Sequence, residues 1–314
     1  MKEKKAFLIT AIGSFSANAV IQSIRKNYPK AIIIGTDIHD PSWILSSNQL
    51  DFTYQVPKAN HSDYLPTIIQ LIEKHNIHFL IPLTDPEVDV MSIHHDTLKT
   101  YTILTVSNNQ TIPICRNKYL MADFFLPIEG VTPIETHQYD SNKTIDLSFP
   151  FIAKKINGRS SEGLKLIHSV ADFCHLNSEY ILQPLISGDV ITVDVVVDDW
   201  NSFVCLARKE LIRTSNGAGL SVEVFESTQI YKTVEKIVQN LEIKGAVNIE
   251  FIESNGIFYL MDMNPRFSAG IGFSQLAGFD IVQNHVRAFE GKKLVHPENI
   301  QYGLYSSNFT QIKI

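Results

Sequence analysis

Gly245-Ala246-Val247-Asn248-Ile249-Glu250-Phe251-Ile252-Glu253-Ser254-Asn255-Gly256-Ile257-Phe258-Tyr259-Leu260-Met261-Asp262-Met263-Asn264-Pro265-Arg266 is the stretch on which the reading turns. Two β-type runs, Ala246–Ile252 and Ile257–Met263, flank an Asn-Gly pair, a strong short-range hairpin signal. With the loop closed around residues 255–257, Glu250 falls opposite or nearly opposite Asp262. Side chains alternate along a strand, so Asn248 and Glu250 share a face of theirs, as do Asp262 and Asn264, and the two carboxylates and two amides then crowd onto one patch. Two carboxylates crowded out of water repel and need a cation. All-oxygen donors on a rigid sheet, with room left for phosphates, suit Mg²⁺. The competing reading is a solvent-facing hairpin with ordinary charges. Against it stand the apolar runs around these polar residues and the Arg266 guanidinium, which follows at once and is fit for phosphate.

Working upstream, Ile181–Pro184, Val190–Val197 and Phe203–Leu206 are further β-type runs. Phe151-Ile152-Ala153-Lys154-Lys155 reads as a strand ending in lysine. A polar turn with Gly158 and Gly163 follows, then a second short strand, Leu164–Ile167. Amides and hydroxyls of such a turn can wrap phosphate oxygens, and the preceding lysine can neutralise them. It is not a Walker loop, because lysine precedes the glycines. Surface turns of this composition are common, so the segment alone is a weak signal. Tyr180–Asp194 combines a strand, a Pro184-broken connection, a Gly188-Asp189 turn and a second strand. It reads either as an interlobe crossover or as a connector that offers backbone groups to an adenine edge and Asp189 to ribose hydroxyls.

The first third alternates strand and helix signals. Ala6–Thr10 is a short apolar run followed by the helical pattern Ala17–Lys26; Ala31–Asp37 is a second run. Tyr64–His75 is amphipathic through Leu65, Ile68, Ile69 and Ile72 and leads into Phe79–Leu83. Continuous runs between helices predict parallel strands buried on both faces, hence a doubly wound α/β layer over about the first 110 residues. A dinucleotide fingerprint needs three glycines after the first strand, whereas this turn reads Gly13-Ser14-Phe15-Ser16-Ala17-Asn18. Asp37 does end the second strand where a ribose-binding acid would lie. A scaffold layer whose loop tips hold part of a substrate is the favoured reading over NAD(P) binding. Short helices and Pro-bearing turns (Pro113, Pro127, Pro133) fill residues 101–150, and residues 295–314 carry no readable motif.

The chain has 314 residues, enough for about two domains of ~150, with 44% hydrophobic and 19% charged residues. A net charge of -6 argues against a nucleic-acid footprint, which wants a basic face, while leaving room for a local anion pocket. Cys115, Cys174 and Cys205 show neither zinc nor disulfide spacing, so a reduced, cytoplasmic setting is expected. The N-terminal apolar run is too short for a signal-peptide core or a membrane span, and a soluble protein is expected. The histidines are scattered, and no Ser-His-Asp or Cys-His signature appears.

Taken in order, these segments resemble the ATP-grasp superfamily, most closely its carbamoyl-phosphate synthase large-subunit-like branch, from about Arg116 to Glu290. The resemblance implies an α/β architecture: a doubly wound parallel-sheet pre-ATP-grasp domain over 1–110, followed by a two-lobed α+β ATP-grasp domain. Its small lobe would span 111–184 and its large lobe, with the metal site, 185–314. It implies ATP with Mg²⁺ or Mn²⁺ as cofactors and Glu250, Asp262 and Asn264 as metal ligands. Lys118, Lys154, Gly158, Ser160, Ser161, Gly163, Gln183, Leu185, Ile186, Asp189 and Arg208 would hold the nucleotide. Arg266, Lys154 and Arg213 would serve catalysis. Asp262 and Gln183 each replace the family's usual Glu, and one ATP-grasp unit is half of what a full carbamoyl-phosphate synthase needs. The implied chemistry is an ADP-forming C–N ligase joining a small-molecule carboxylate and amine through an acyl-phosphate, with no nucleic-acid or membrane partner and compatible with a homodimer. A non-catalytic nucleotide-binding sensor, or a subunit of a larger ligase complex, is the alternative.

Overall fold

A computed structural model describes residues 4–142, 146–158, 163–215, 217–308 and 312. The apolar runs of the first third form β1 (Ala6–Ile9), β2 (Ile32–Asp37), β3 (Phe52–Gln55), β4 (Phe79–Ile81) and β5 (Ile103–Leu104), in the order β3-β2-β1-β4-β5. Every pairing is parallel. Both faces are covered, which is why the central strands lack polar alternation. Phe7, Ile9, Ile33 and Ile81 pack with Val20, Ile21 and Ile24 of α1 (Ala17–Asn27). Leu8, Ile34 and Leu80 turn the other way, toward Ile68, Leu71 and Ile72 of α2 (Tyr64–His75) and Met91 of α3 (Asp85–Ile93). Each such side chain contributes roughly 1.5–3 kcal/mol relative to exposure. The short α4 (His95–Leu98) completes this layer.

The connector carries α5 (Thr111–Arg116), α6 (Lys118–Phe125) and the two-residue β6 (Thr132–Pro133). Beyond it, β7 (His137–Gln138), β8 (Phe151–Lys155), β9 (Lys165–Ile167) and β10 (Tyr180–Pro184) make an antiparallel sheet in the order β7-β10-β8-β9. The third sheet holds β11 (Asp189–Val197), β12 (Phe203–Arg213), β13 (Gly219–Phe225), β14 (Gly245–Ser254), β15 (Ile257–Asn264) and β16 (Gly303–Ser306). Its order is β16-β13-β12-β11-β14-β15-β6, with β6 parallel to β15. Helix α7 (Thr228–Asn240) covers one face and α8 (Ile271–Leu276) with α9 (Ile281–Phe289) the other.

Two features differ from the expected layout. The 111–184 segment is split between two sheets: Cys115, Met121, Phe125 and Val131 join the core formed by β11, β14 and α7, and the four-stranded sheet begins only at His137. The apolar stripe of α5 and α6 buries against the larger sheet because that is where the matching apolar face lies. The motif-free tail supplies β16, a half-exposed edge strand paired with β13. The N-terminal layer is not a detached module. Its α1 core is continuous with Val196, Val204, Val222 and Val224 of the large sheet and with α8 and α9.

Candidate functional site

Asn255 and Gly256 both take positive φ, 52° and 77°, and close a two-residue turn between Ser254 and Ile257. From that turn the ladder runs regularly to Phe251 opposite Leu260, then shifts by one residue, so that Glu250 stands opposite Asp262 and Asn248 opposite Asn264. Met261 is the unpaired extra residue. A β-bulge turns neighbouring side chains toward one side, and Met261 and Asp262 both line the same cleft.

That cleft, about 270 Å³, opens between the four-stranded and seven-stranded sheets. Its charged walls are Lys118, Lys154, Lys155, Arg213 and Arg266 against Glu250 and Asp262; Asn248 and Asn264 lie on the floor, and Gly158 belongs to the rim. Asn117 caps α6, its side chain accepting from the amides of Tyr119 and Leu120, and so sets Lys118 at the first helical position. Lys118 is 6% exposed; its Nζ donates to the Gly158 carbonyl at 2.8 Å and lies 3.1 Å from Asp262 Oδ1. Arg213 Nη2 lies 3.5 Å from Glu250 Oε2, while its Nε donates to the Gly217 carbonyl. Arg266 Nε and Nη2 grip Asp85 at 2.9 and 3.0 Å.

The charges are held out of balance. Burial pulls the Lys154 ammonium down to about 8, and neighbouring Lys118 adds to the fall while Asp262 and Glu250 oppose it. Burial pushes Glu250 up; Arg213 opposes, and the charges of Asp262 and Glu210 push the same way as burial. A lysine that gives up its proton more easily than usual thus stands beside a carboxylate that holds its proton more tightly than usual, an arrangement that can take up both an anion and a cation.

Other nominated residues fall elsewhere. Arg208 is 2% exposed and tied to Asp194, Glu210 and Ser268. It lies beneath the wall, where a Cβ on Gly270 would come within 2.9 Å of its Nη2. Gln183 is buried at the end of β10, donating to Thr136 Oγ1 at 2.7 Å. Leu185 and Ile186 form the link from β10 to β11, and exposed Asp189 pairs with Lys209 Nζ at 2.6 Å. Gly163 packs near Lys155 and Tyr180; Ser160 and Ser161 lie outside the described residues. Asp37 accepts from the amides of Gly13 and His39 at 2.8 and 3.0 Å, which commits both oxygens to local turns.

Sequence reasoning missed Lys155, Met261, Phe15 and Asp85. Phe15 reaches the cleft from the β1–α1 loop at 58% exposure. Asp85 sits in Thr84-Asp85-Pro86, an ordinary helix-start signal directly after β4, and that placement is the clue that could have flagged it. Among the described residues, no helix is long and apolar enough to cross a membrane.

Comparison with known proteins gives two family matches. A model described as "ATP-grasp in the biosynthetic pathway with Ter operon" covers residues 177–312, and one described as the PylC-like N-terminal domain covers residues 7–106. The carbamoyl phosphate synthase large chain of Caldanaerobacter subterraneus subsp. tengcongensis is 26% identical over 168 residues, 48% of this chain and 16% of that protein. The chain thus spans about a sixth of the length of the curated relatives it matches. The fold resembles the biotin carboxylase domain dimer of Hydrogenobacter thermophilus 2-oxoglutarate carboxylase, solved with MgADP, ADP and bicarbonate. There the TM-score is 0.78 at 15% identity, covering 96% of this chain and 74% of that one. It also resembles Staphylococcus aureus N5-carboxyaminoimidazole synthetase complexed with ADP, with a TM-score of 0.75 at 17% identity, covering 96% and 82% of the two chains.

Proposed function

We propose that the chain is an ATP-dependent carboxylate–amine ligase of the ATP-grasp type, releasing ADP and phosphate, a reading supported by the family matches to its two parts and by its likeness to carbamoyl phosphate synthase large chains. The observation that carries this reading is the Glu250–Asp262 pair, set face to face in a cleft whose remaining charged side chains are Lys118, Lys154, Lys155, Arg213 and Arg266.

The donor set fits a divalent cation. Glu250 and Asp262 offer carboxylate oxygens and Asn264 an amide oxygen; burial, with the charge of Asp262 behind it, raises the affinity of Glu250 for a proton, a penalty that a bound cation would relieve. Among the described residues no three His, Cys, Asp or Glu gather into a protein-only cage. That suits Mg²⁺ or Mn²⁺ bound through few carboxylates and completed by water and substrate phosphates. Glu250, Asp262 and Asn264 would hold the ion, which when bound supplies charge neutralisation across the β- and γ-phosphates.

Lys118, Lys154 and Arg266 spread the charge of the transferring phosphoryl group, with Arg213 beside them. A substrate carboxylate oxygen attacks the γ-phosphorus as the bond to the β-phosphate oxygen breaks, giving an acyl-phosphate and ADP. The amine nitrogen then attacks the acyl carbon, phosphate leaves with the acyl oxygen, and the nitrogen loses a proton as the amide forms. No side-chain nucleophile is needed. In this reading Leu185 and Ile186 present backbone to adenine beside Gln183, and Asp189 leaves Lys209 for the ribose. Gly158 and Gly163 would flank the phosphates, while Ser160 and Ser161 lie outside the described residues. Arg208 acts from behind, as the anchor of the Ser268–Gly270 wall. A homodimer and a cytoplasmic setting accord with the same reading.

Hydroxylamine trapping tests it. Protein, MgATP and a pool of carboxylates should yield hydroxamate in step with ADP, and Asp262→Ala should yield neither. ATP bound with no hydroxamate from any pool would instead favour a nucleotide-binding subunit.

A further inference from the structure

Three parts of the fold meet at one buried carboxylate. Asp85 opens α3 in the N-terminal layer and is 3% exposed. Arg266 comes from the large lobe and places Nε 2.9 Å from Asp85 Oδ1 and Nη2 3.0 Å from Oδ2, a two-pronged pair. Arg116, the last residue of α5, brings Nη1 to 3.6 Å from the same Oδ1. Its Nε and Nη2 donate to Asp89 at 2.8 and 3.2 Å. Burial alone would push the Asp85 carboxyl up, but Arg266 and Arg116 outweigh it and hold the group ionised.

A guanidinium carries five N–H donors. Asp85 takes the Nε–Nη2 edge of Arg266. The Phe267 carbonyl accepts from Nη1 at 2.9 Å, and Asn264 Oδ1 accepts from Nη2 at 3.3 Å. The plane of the group is fixed on the cleft wall with one Nη1 hydrogen uncommitted. The fork that a free arginine would offer to phosphate is already spent on protein.

We propose that Asp85 is a positioning residue for phosphoryl transfer, locking the Arg266 guanidinium in one orientation and so making the N-terminal layer part of the transfer site. The proposal rests on the ligase reading above. It accords with the core that this layer shares with the large lobe, because a hinge between them would part Asp85 from Arg266. A residue that merely glued domains together would, when replaced, lower stability without acting selectively on the γ-phosphate.

The test compares wild type with Asp85→Asn and Asp85→Glu. The first removes the charge and the second keeps it but displaces the fork by a methylene. Titration with MgADP and with a non-hydrolysable MgATP analogue reads Arg266 without turnover. The preference for the analogue should fall about tenfold in Asp85→Asn while ADP affinity stays within about twofold. In ADP release, kcat should fall on the order of 10²-fold, the usual effect of a misplaced catalytic group, and the KM for ATP should rise in step with the weaker analogue binding. In an Arg266→Lys background, Asp85→Asn should have little further effect, because the two act as a unit. Should Asp85→Asn fail to fold, Asp85→Glu must show the same loss of analogue preference at a wild-type unfolding temperature. Unchanged preference and kcat in these variants, or effects equally large with Arg266 replaced, overturn the proposal. Wild type that neither prefers the analogue nor releases ADP instead overturns the ligase reading, and the proposal with it.

Discussion

Glu250 faces Asp262 across the β14–β15 ladder because Met261 is left over as a bulge. Without the shift, the two-residue turn at Asn255-Gly256 would set Glu250 against Met261, and the two acids would no longer form a pair. The bulge therefore builds the acidic pair and also turns Met261 into the cleft.

Replacing Asp262 removes one of two mutually repelling carboxylates. Asp262→Asn should leave thermal unfolding close to wild type, because Glu250 is relieved of a like charge while Lys118 keeps the Gly158 carbonyl. ADP release should drop by about 10²-fold or more, the scale for losing a group that stabilises transition-state charge. Normal turnover in a folded variant would remove Asp262 from the metal site.

Lys154 gives the cleft a pH signature. Its folded pKa of about 8 lies below the ordinary lysine value of 10.5. The unfolded chain therefore binds more protons between those values, and stability contributed by this group rises with pH across that window. Below about pH 8 it carries its charge in a half-buried site. Polyphosphate should restore the charge, so nucleotide binding near pH 8 should take up a proton. Calorimetry in buffers of different ionisation enthalpy reads this directly. Lys154→Met should abolish the uptake and weaken binding, and pH-8 binding without proton uptake would contradict the assignment.

Arg208 separates a structural arginine from a phosphate ligand. Arg208→Met strands Asp194 and Glu210 as unpaired buried carboxylates, a loss of about 3–5 kcal/mol. Urea unfolding should show it. An unfolding midpoint like wild type, with a raised KM for ATP, would place Arg208 on the nucleotide after all.

Lys118 bridges the glycine-loop rim to the acidic pair. Lys118→Met keeps the packed stem but leaves the Gly158 carbonyl and Asp262 short of a partner, costing about 1–3 kcal/mol. The KM for ATP should rise about 10-fold or more. A variant with wild-type stability and KM would show that neither contact matters.

The sequence made the hairpin readable because Asn-Gly and strict alternation are local signals, and the parallel layer readable because its strands are apolar throughout. The bulge at Met261 was not legible: nothing local distinguishes it, and it exists only once both strands are paired to neighbours. Asp85 escaped for a related reason, since its partner Arg266 lies 181 residues away. Motif position alone sets Arg208 near phosphates, whereas its burial depends on Asp194 and Ser268 converging from other segments. β16 is a four-residue edge strand with half-exposed side chains, too short for periodicity to register.

The most direct measurement is Mg²⁺-dependent ADP release from the purified chain, screened across paired pools of carboxylates and amines, with Asp262→Ala alongside. Release should need both a carboxylate and an amine and should disappear in the variant. Release that ignores both pools, or persists in Asp262→Ala, would contradict the ligase reading.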